Sequence, residues 1–173
     1  MSERTAVSSA SASSRPQLIY SAGFDVVALG PSERDALASH CRSLSSMRAS
    51  IGWGTLGELY TVPAFGQIDY AADHVLVARI GDGPVIASAQ VHRVSRLLAW
   101  GELWYSAWPG EWAHGACAQC IGRAVRWARR SGLACLVAYS RGENAAEREM
   151  LSRAGFTISF QRGELVAEMD LFD

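Results

Sequence analysis

The sequence contains no lysine, so all 16 of its basic side chains are arginines. This absence excludes chemistry that depends on a lysine, such as a Schiff base with a carbonyl substrate or the phosphate contact of a P-loop. No apolar run approaches the roughly 18 residues that span a bilayer, and the N-terminal residues lack the apolar core of a signal peptide. We therefore expect a cytoplasmic protein with no membrane partner.

The charge and the cysteine content narrow the function classes further. A formal net charge of −1 over 173 residues gives no indication of a nucleic-acid partner. The four cysteines of a cytoplasmic chain are expected to be reduced and mostly buried. We interpret residues 1–16, which are rich in Ser and Ala, as a flexible tail and residues 17–173 as a single domain.

Apolar periodicity and turn residues divide the domain into strands and helices. The strand–helix–strand unit from Leu103 to Tyr139 requires a crossover, so its two strands should be parallel. A tight turn at 81–84 favours an antiparallel hairpin. The sequence therefore predicts an α/β fold with one mixed, mostly antiparallel sheet and helices on both faces. The predicted strands cover 18–29, 74–80, 85–94, 97–108, 133–139, 156–160 and 165–171, and the predicted helices cover 32–44, 115–130 and 143–154.

The turn that joins the fourth predicted strand to the central helix has the features of a phosphate site. It runs from Trp108 to Cys117 and is rich in small residues. The first backbone N–H groups of a helix have no partner within the helix, and the helix dipole adds positive potential there. Small residues let a phosphate approach this backbone closely, which favours a pyrophosphate. An ordinary strand–helix connection has the same local features, so both interpretations stay open at this point.

The same turn resembles the acyl-CoA motif of the GNAT superfamily of N-acyltransferases. In that family a proline after the fourth strand is followed by Arg/Gln-x-x-Gly-x-Gly/Ala and by a helix that often closes on Trp-Ala-Arg. Placing residues 127–129 on this close puts Pro109 on the family proline, Gly115 on the first glycine and Cys117 on the final small position. A rival register that starts the motif at Gln119 leaves too little helix for the family pattern and is rejected.

A second match to the family lies further along the chain. The pattern Asn-x-x-Ala-x-x-Leu-Tyr-x-x-x-Gly-Phe is similar to residues 144–156, where Asn144, Gly155 and Phe156 fall in register. The resemblance implies the GNAT fold, with the central parallel strand pair splayed for CoA, acetyl-CoA as the acyl donor and a small-molecule or peptide amine as the acceptor. A homodimer is a further expectation from the family. The residues implied to bind acetyl-CoA are Ser106, Ala107, Trp108, Trp112, Ala113, His114, Gly115, Ala116, Cys117, Ala118 and Asn144.

Two departures from the family pattern bear on catalysis. Trp112 stands where Arg or Gln is usual, and Leu151 stands at the frequent tyrosine that in many members protonates the departing CoA thiolate. Backbone amides do most of the phosphate binding, so the resemblance still implies CoA binding but leaves the proton donor open. Glu102, one residue from the usual position of a base, is the candidate general base, and Tyr139 or Tyr105 is the candidate replacement acid.

The acceptor would be bound by aromatic residues in an irregular segment. The resemblance places the acceptor wall there, so Trp53, Tyr60 and Phe65 are the candidate substrate-binding residues. A different hypothesis follows from the departures at 112 and 151, namely a GNAT-like module that binds CoA or a partner without acyl transfer.

A metal or redox site is the remaining alternative. His114, Cys117 and Cys120 recur every three residues along the central helix, which is compatible with either chemistry. A thioredoxin-like fold requires a proline after the Cys-x-x-Cys motif, whereas the last proline here is Pro109. We therefore expect structural cysteines and no metal.

Overall fold

A computed structural model describes residues 23–30, 34–46, 73–94, 97, 99–140 and 145–172. The predicted alternation of strands and helices is confirmed over these ranges. None of the helices within them is long and apolar enough to cross a membrane. In chain order the elements are β1 (Asp25–Ala28), α1 (Arg34–Ser46), β2 (Asp73–Arg79), β3 (Val85–Arg93), β4 (Trp100–Ala107), α2 (Glu111–Arg130), β5 (Cys135–Ser140), α3 (Ala145–Arg153), β6 (Thr157–Gln161) and β7 (Glu164–Asp170).

The described strands form one mixed sheet in the order β1-β2-β3-β4-β5-β7-β6. Only β4 and β5 pair in parallel among them, because α2 carries the chain across the sheet between these two strands. Each of the other neighbouring pairs is antiparallel. This arrangement confirms the predicted α/β class and the predicted parallel pair.

Helix α2 covers one face of the sheet with small residues. Ala113, Ala116, Cys117, Cys120 and Ala124 are all buried, and their small side chains let the helix lie close to the strands. The strand residues beneath them are apolar, so this face and α2 share one hydrophobic core. The arginines of α2 lie off that face, as its helical periodicity predicts.

Helix α1 covers part of the opposite face. Leu37 and Cys41, one helical turn apart, pack with Val75, Val77 and Val85 in a separate apolar cluster. The sheet therefore has helices on both faces, as predicted, and the two faces can be compared residue by residue.

The central helix begins earlier than its periodicity indicates. The sequence predicts a start at Gly115, whereas α2 begins at Glu111. Gly110 has φ 120°, a conformation that favours glycine, and it breaks the strand so that the helix can begin directly after it. The first turn has little apolar periodicity, which explains why the pattern alone misses it.

Candidate active site

The parallel strands β4 and β5 part soon after they meet. Their ladder has only three residue pairs, Trp100↔Cys135, Gly101↔Leu136 and Glu102↔Val137. Strand β4 continues to Ala107 and β5 continues to Ser140, but beyond this ladder the two strands pair only with β3 and β7, not with each other. A gap therefore opens at the carboxyl ends of the two strands, the edge at which α/β sheets bind ligands.

The β4 edge of this gap presents backbone hydrogen-bonding groups. Trp108 donates its N–H to the carbonyl oxygen of Ile86 on β3, at 2.8 Å. Successive residues of a strand direct their backbone groups to opposite neighbours, so those of Leu103, Tyr105 and Ala107 point towards β5. The N–H of Leu103 still belongs to the last rung of the ladder, whereas the backbone groups of Tyr105 and Ala107 lie beyond it and face the gap.

The N-terminus of α2 lies directly after the end of β4. Gly110 precedes the helix and makes no side-chain cap bond. The first N–H with a partner inside the helix belongs to His114, which donates to the Gly110 carbonyl at 3.1 Å. The preceding N–H groups and the helix dipole make this end of α2 favourable for a negative charge.

The other candidate cofactor-binding residues divide between the two sides of α2. Gly115 and Ala118 are exposed, and a Cβ atom added at Gly115 would meet no atom within 4 Å. Ala116 and Cys117 are buried against the sheet. Trp112 is half-buried and its ring lies edge-on to that of Trp108, with centroids 6.5 Å apart.

A polar cluster lies on the α1 face of the sheet, beside the gap. His92 Nδ1 lies 2.5 Å from an oxygen of Asp73, and Gln90 donates to the other Asp73 oxygen at 3.0 Å. With Nδ1–H donated to Asp73, the Nε2 atom of a neutral His92 ring is an acceptor. The ring is stacked on Trp104 and lies opposite Glu102 in the β3–β4 register.

Glu102 occupies the point at which the strands part. It is the last residue of β4 that pairs with β5, and only 8% of its surface is exposed. Its Oε1 atom has no hydrogen-bond partner in the described part of the chain. Burial raises the pKa of the carboxyl, an effect that Trp104 and the nearby His92 oppose. A buried carboxylate with a raised pKa and a free oxygen is suited to accept a proton.

Tyr139 lies on the same face, on the other side of the gap. It follows Val137, the partner of Glu102, by two residues, so the side chains of Tyr139 and Glu102 project in the same direction. Burial and then the charge of Glu102 raise the pKa of the Tyr139 phenol. The phenol is therefore protonated at neutral pH and close enough to Glu102 to be influenced by its charge.

Solved structures with the same arrangement of strands and helices are GNAT proteins. A GNAT-family acetyltransferase from Streptococcus pneumoniae superposes with a TM-score of 0.67 at 16% identity, over 86% of this chain and 99% of that one. The GNAT domain of S. lividans PAT superposes with a TM-score of 0.61 at 20% identity, over 84% of this chain and 89% of that one. The chain has the GNAT fold.

One of the similar solved structures was determined with a cofactor. The protein yncA from Salmonella typhimurium, solved with its cofactor acetyl-CoA, superposes with a TM-score of 0.66 at 16% identity, over 86% of this chain and 94% of that one. No family model matches this chain, and no curated protein matches it. The fold is therefore shown by structural similarity, at 16–20% identity to the structures named here.

Tyr105 points to the opposite face of the GNAT sheet from Glu102 and Tyr139. Its phenol donates to a carboxylate oxygen of Glu147 on α3, and Ser140 donates to the other oxygen at 2.7 Å. Burial and then the charge of Glu147 raise the pKa of Tyr105 well above its ordinary value. Leu151 stands at the position of the motif tyrosine, one helical turn after Glu147. Its side chain is fully buried.

A second polar chain connects α1 to the end of β4. Ser106 contacts Ser88 at 2.7 Å through their hydroxyls and His40 Nε2 at 2.8 Å, while His40 Nδ1 lies 2.9 Å from the Val85 carbonyl. Burial lowers the pKa of His40 to about 4, although its bond to Val85 opposes the shift. The Ser106 hydroxyl is thus occupied by its bonds to His40 and Ser88. Among residues 106–108, which were predicted to bind the cofactor, only Ala107 directs its backbone groups towards the gap.

The cysteines of α2 are placed as core residues. Cys117 and Cys120 are both buried under the sheet, and burial raises the pKa of the Cys120 thiol to about 12 and that of Cys117 well above its ordinary value. Such thiols are poor nucleophiles and poor metal ligands because the thiolate is disfavoured. Within the described ranges, no three His, Cys, Asp or Glu side chains are grouped as metal ligands.

Four predicted site residues lie outside the described residues: Trp53, Tyr60, Phe65 and Asn144. Conversely, the structure brings three side chains that the sequence did not indicate into bonds with residues of β3 and β4, namely Asp73, Glu147 and His40. Asp73 and His40 carry no local signal, because their partners are distant in sequence. Glu147 could have been noticed, because a carboxylate stands there at the position where the family pattern has alanine.

Proposed function

We propose that the protein is an acyl-CoA-dependent N-acyltransferase that transfers acetyl from acetyl-CoA to an amine of a small molecule or a peptide. The observation that carries the proposal is the placement of Glu102, a buried carboxylate with a raised pKa, at the residue where the parallel strands part. The GNAT fold supports it, since related structures are acetyltransferases and one contains acetyl-CoA.

The residues around the gap fit an acyl-CoA donor. Backbone groups of Tyr105 and Ala107 face the gap and can bond to amides of an extended chain. The uncapped start of α2 can bind phosphate through N–H groups, and the open space at Gly115 leaves room beside it. When bound there, acetyl-CoA would supply an acyl thioester as the electrophile.

Glu102 would act as the general base. An amine is protonated near neutral pH and must lose a proton before its nitrogen can form the new C–N bond. The free Oε1 of Glu102 can accept this proton, either directly or through water. His92 lies opposite Glu102 and is oriented by Asp73, so these two residues are positioned to relay the proton away from the carboxyl.

Tyr139 would act as the general acid. When the C–S bond breaks, the sulfur must receive a proton, and the raised pKa of Tyr139 keeps its phenol protonated for this purpose. Tyr105 is the second candidate, but its O–H is directed to Glu147 and away from the Glu102 face. The acceptor wall would be supplied by Trp53, Tyr60 and Phe65, and a homodimer remains an expectation from the fold.

The test is amine-dependent release of thiol from acetyl-CoA, measured with a panel of primary amines. Glu102→Gln should lower turnover by about 10²-fold or more while leaving acetyl-CoA affinity unchanged. Glu168→Gln is the matched control, because Glu168 on β7 pairs with Val137, faces the same side of the sheet as Glu102 and is exposed. Equal turnover in the wild type and Glu102→Gln would remove Glu102 from the mechanism.

A non-catalytic CoA-binding module is the second candidate. It is favoured by the full burial of Leu151 at the position of the motif tyrosine. This alternative predicts acetyl-CoA binding without thiol release for any amine, so the same assay combined with a binding measurement separates the two functions.

A further inference from the structure

The Glu147 carboxylate connects the two strands that border the gap, and the mechanism proposed above does not use it. Tyr105 on β4 donates its phenol O–H to one carboxylate oxygen. Ser140 on β5 donates its hydroxyl to the other oxygen at 2.7 Å. One side chain of α3 therefore contacts both strands beyond the point at which they part.

The register shows that this bridge replaces a missing backbone pair. Tyr105 lies three residues after Glu102, and Ser140 lies three residues after Val137, the last parallel partners. If the ladder continued, Tyr105 and Ser140 would pair directly, with the strands about 4.8 Å apart. Instead, their side chains project to the same face and each bonds to the carboxylate.

The burial of this group makes the bridge costly to break. Glu147 is 5% exposed and Tyr105 is 2% exposed. A buried carboxylate is tolerated only when hydrogen bonds replace its water, and bonds to an ionised acceptor are stronger than neutral ones. Both strands are thus held at the distance that satisfies the two oxygens of one carboxylate.

We propose that Glu147 is a positioning residue that sets the separation of β4 and β5 at the gap and, through it, the affinity for acyl-CoA. The last step of this inference rests on the proposed function. The separation itself does not, since it follows from the hydrogen bonds and the register of the two strands.

The binding test compares Glu147→Ala with Glu147→Gln. The amide of Gln keeps an acceptor for Tyr105 and offers an N–H that the Ser140 hydroxyl can accept, so it should restore the bridge. We expect acetyl-CoA to bind Glu147→Ala about tenfold more weakly and Glu147→Gln within about threefold of the wild type, with kcat at saturating donor little changed. Unchanged affinity in folded Glu147→Ala would overturn the proposal.

Leu37→Ala controls for a general loss of stability. Leu37 is buried in the α1 cluster, away from the gap, so its truncation destabilises the fold without altering the bridge. The proposal requires Leu37→Ala to keep wild-type affinity for acetyl-CoA. An equal loss of affinity in this variant would mean that Glu147 acts only through stability.

A second readout does not depend on acyl-CoA. Crystal structures of the ligand-free wild type and Glu147→Ala should differ by about 1 Å or more in the Tyr105–Ser140 Cα separation, enough to misplace a ligand. Ser140→Ala, which removes one of the two bonds, serves if Glu147→Ala does not fold. An unchanged separation would overturn the positioning role of Glu147. Absence of acetyl-CoA binding by the wild type would overturn the proposed function alone.

Discussion

The two faces of β3 and β4 differ in composition although the same strands form both. The face beneath α2 carries Ala87, Ala89, Val91 and Leu103, all buried in one apolar core. The alternate residues on the α1 face are polar or aromatic: Ser88, Gln90, His92, Glu102, Trp104 and Ser106. In both strands, these odd-numbered residues face α2 and these even-numbered residues lie on the α1 face.

This difference separates stability from chemistry. Burying apolar side chains under α2 stabilises the fold, and the buried carboxylate on that face, Glu147, is bonded to both Tyr105 and Ser140. Burying polar side chains on the other face costs free energy unless they are bonded, yet Gln90 Oε1 and Glu102 Oε1 have no partner among the described residues. These two oxygens are therefore available to a ligand under the function proposed above.

The largest effect is expected from a truncation on the apolar face. Ile121→Ala creates a cavity under the sheet at a fully buried position and should lower the free energy of unfolding by about 2–5 kcal/mol. The kcat and KM values of the remaining folded protein should not change. Denaturant unfolding combined with kinetics at low temperature measures both, and a large loss of kcat would break the separation between the faces.

The next effect is the loss of folding stability at acidic pH, which we expect to depend on His40, beside the polar face. The folded state holds the pKa of His40 at about 4, below the ordinary value of 6.5, so protonation favours the unfolded chain. Stability from this group is present above about pH 6.5 and is lost as the pH falls to 4, by an amount on the order of 3 kcal/mol. Urea unfolding at several pH values should show a smaller acid loss in His40→Gln, and an identical loss would contradict this assignment.

A smaller effect is expected for donor binding at the N-terminal end of α2. Gly115→Glu places a carboxylate beside the start of α2 and should weaken acetyl-CoA binding by about 30-fold through charge repulsion. Gly122→Glu is the matched control, since Gly122 lies two turns further along the same helix and its added Cβ would contact only Arg126. Equal affinities of the two variants would place the phosphates elsewhere.

The smallest effect is expected from the residue that orients His92. Asp73→Asn keeps the size of the side chain but weakens the bond to His92, and should lower kcat about tenfold with little change in donor affinity. The pH profile of kcat provides the specific readout, because a purely structural role would leave its shape unchanged. A tenfold rise in the KM for acetyl-CoA with unaltered kcat would assign Asp73 to binding instead.

The β-rich segments with their turn residues and the continuous apolar run at 133–139 were sufficient to predict that strands exist there, and the crossover rule was sufficient to predict the parallel pair. Periodicity could not locate the start of α2, because Gly110 sets that boundary through its backbone conformation. The bonds of Asp73 to His92 and of Tyr105 to Glu147 join residues 19 and 42 positions apart, so no local pattern indicates them. Glu102 could be singled out by resemblance, whereas its burial and raised pKa required the folded chain.

The central claim is that the gap between β4 and β5 binds an acyl-CoA. Isothermal titration calorimetry of the wild-type protein with acetyl-CoA tests it most directly. The account predicts one site per chain with a micromolar dissociation constant. No binding heat up to about 1 mM acetyl-CoA, with the protein folded, would contradict it.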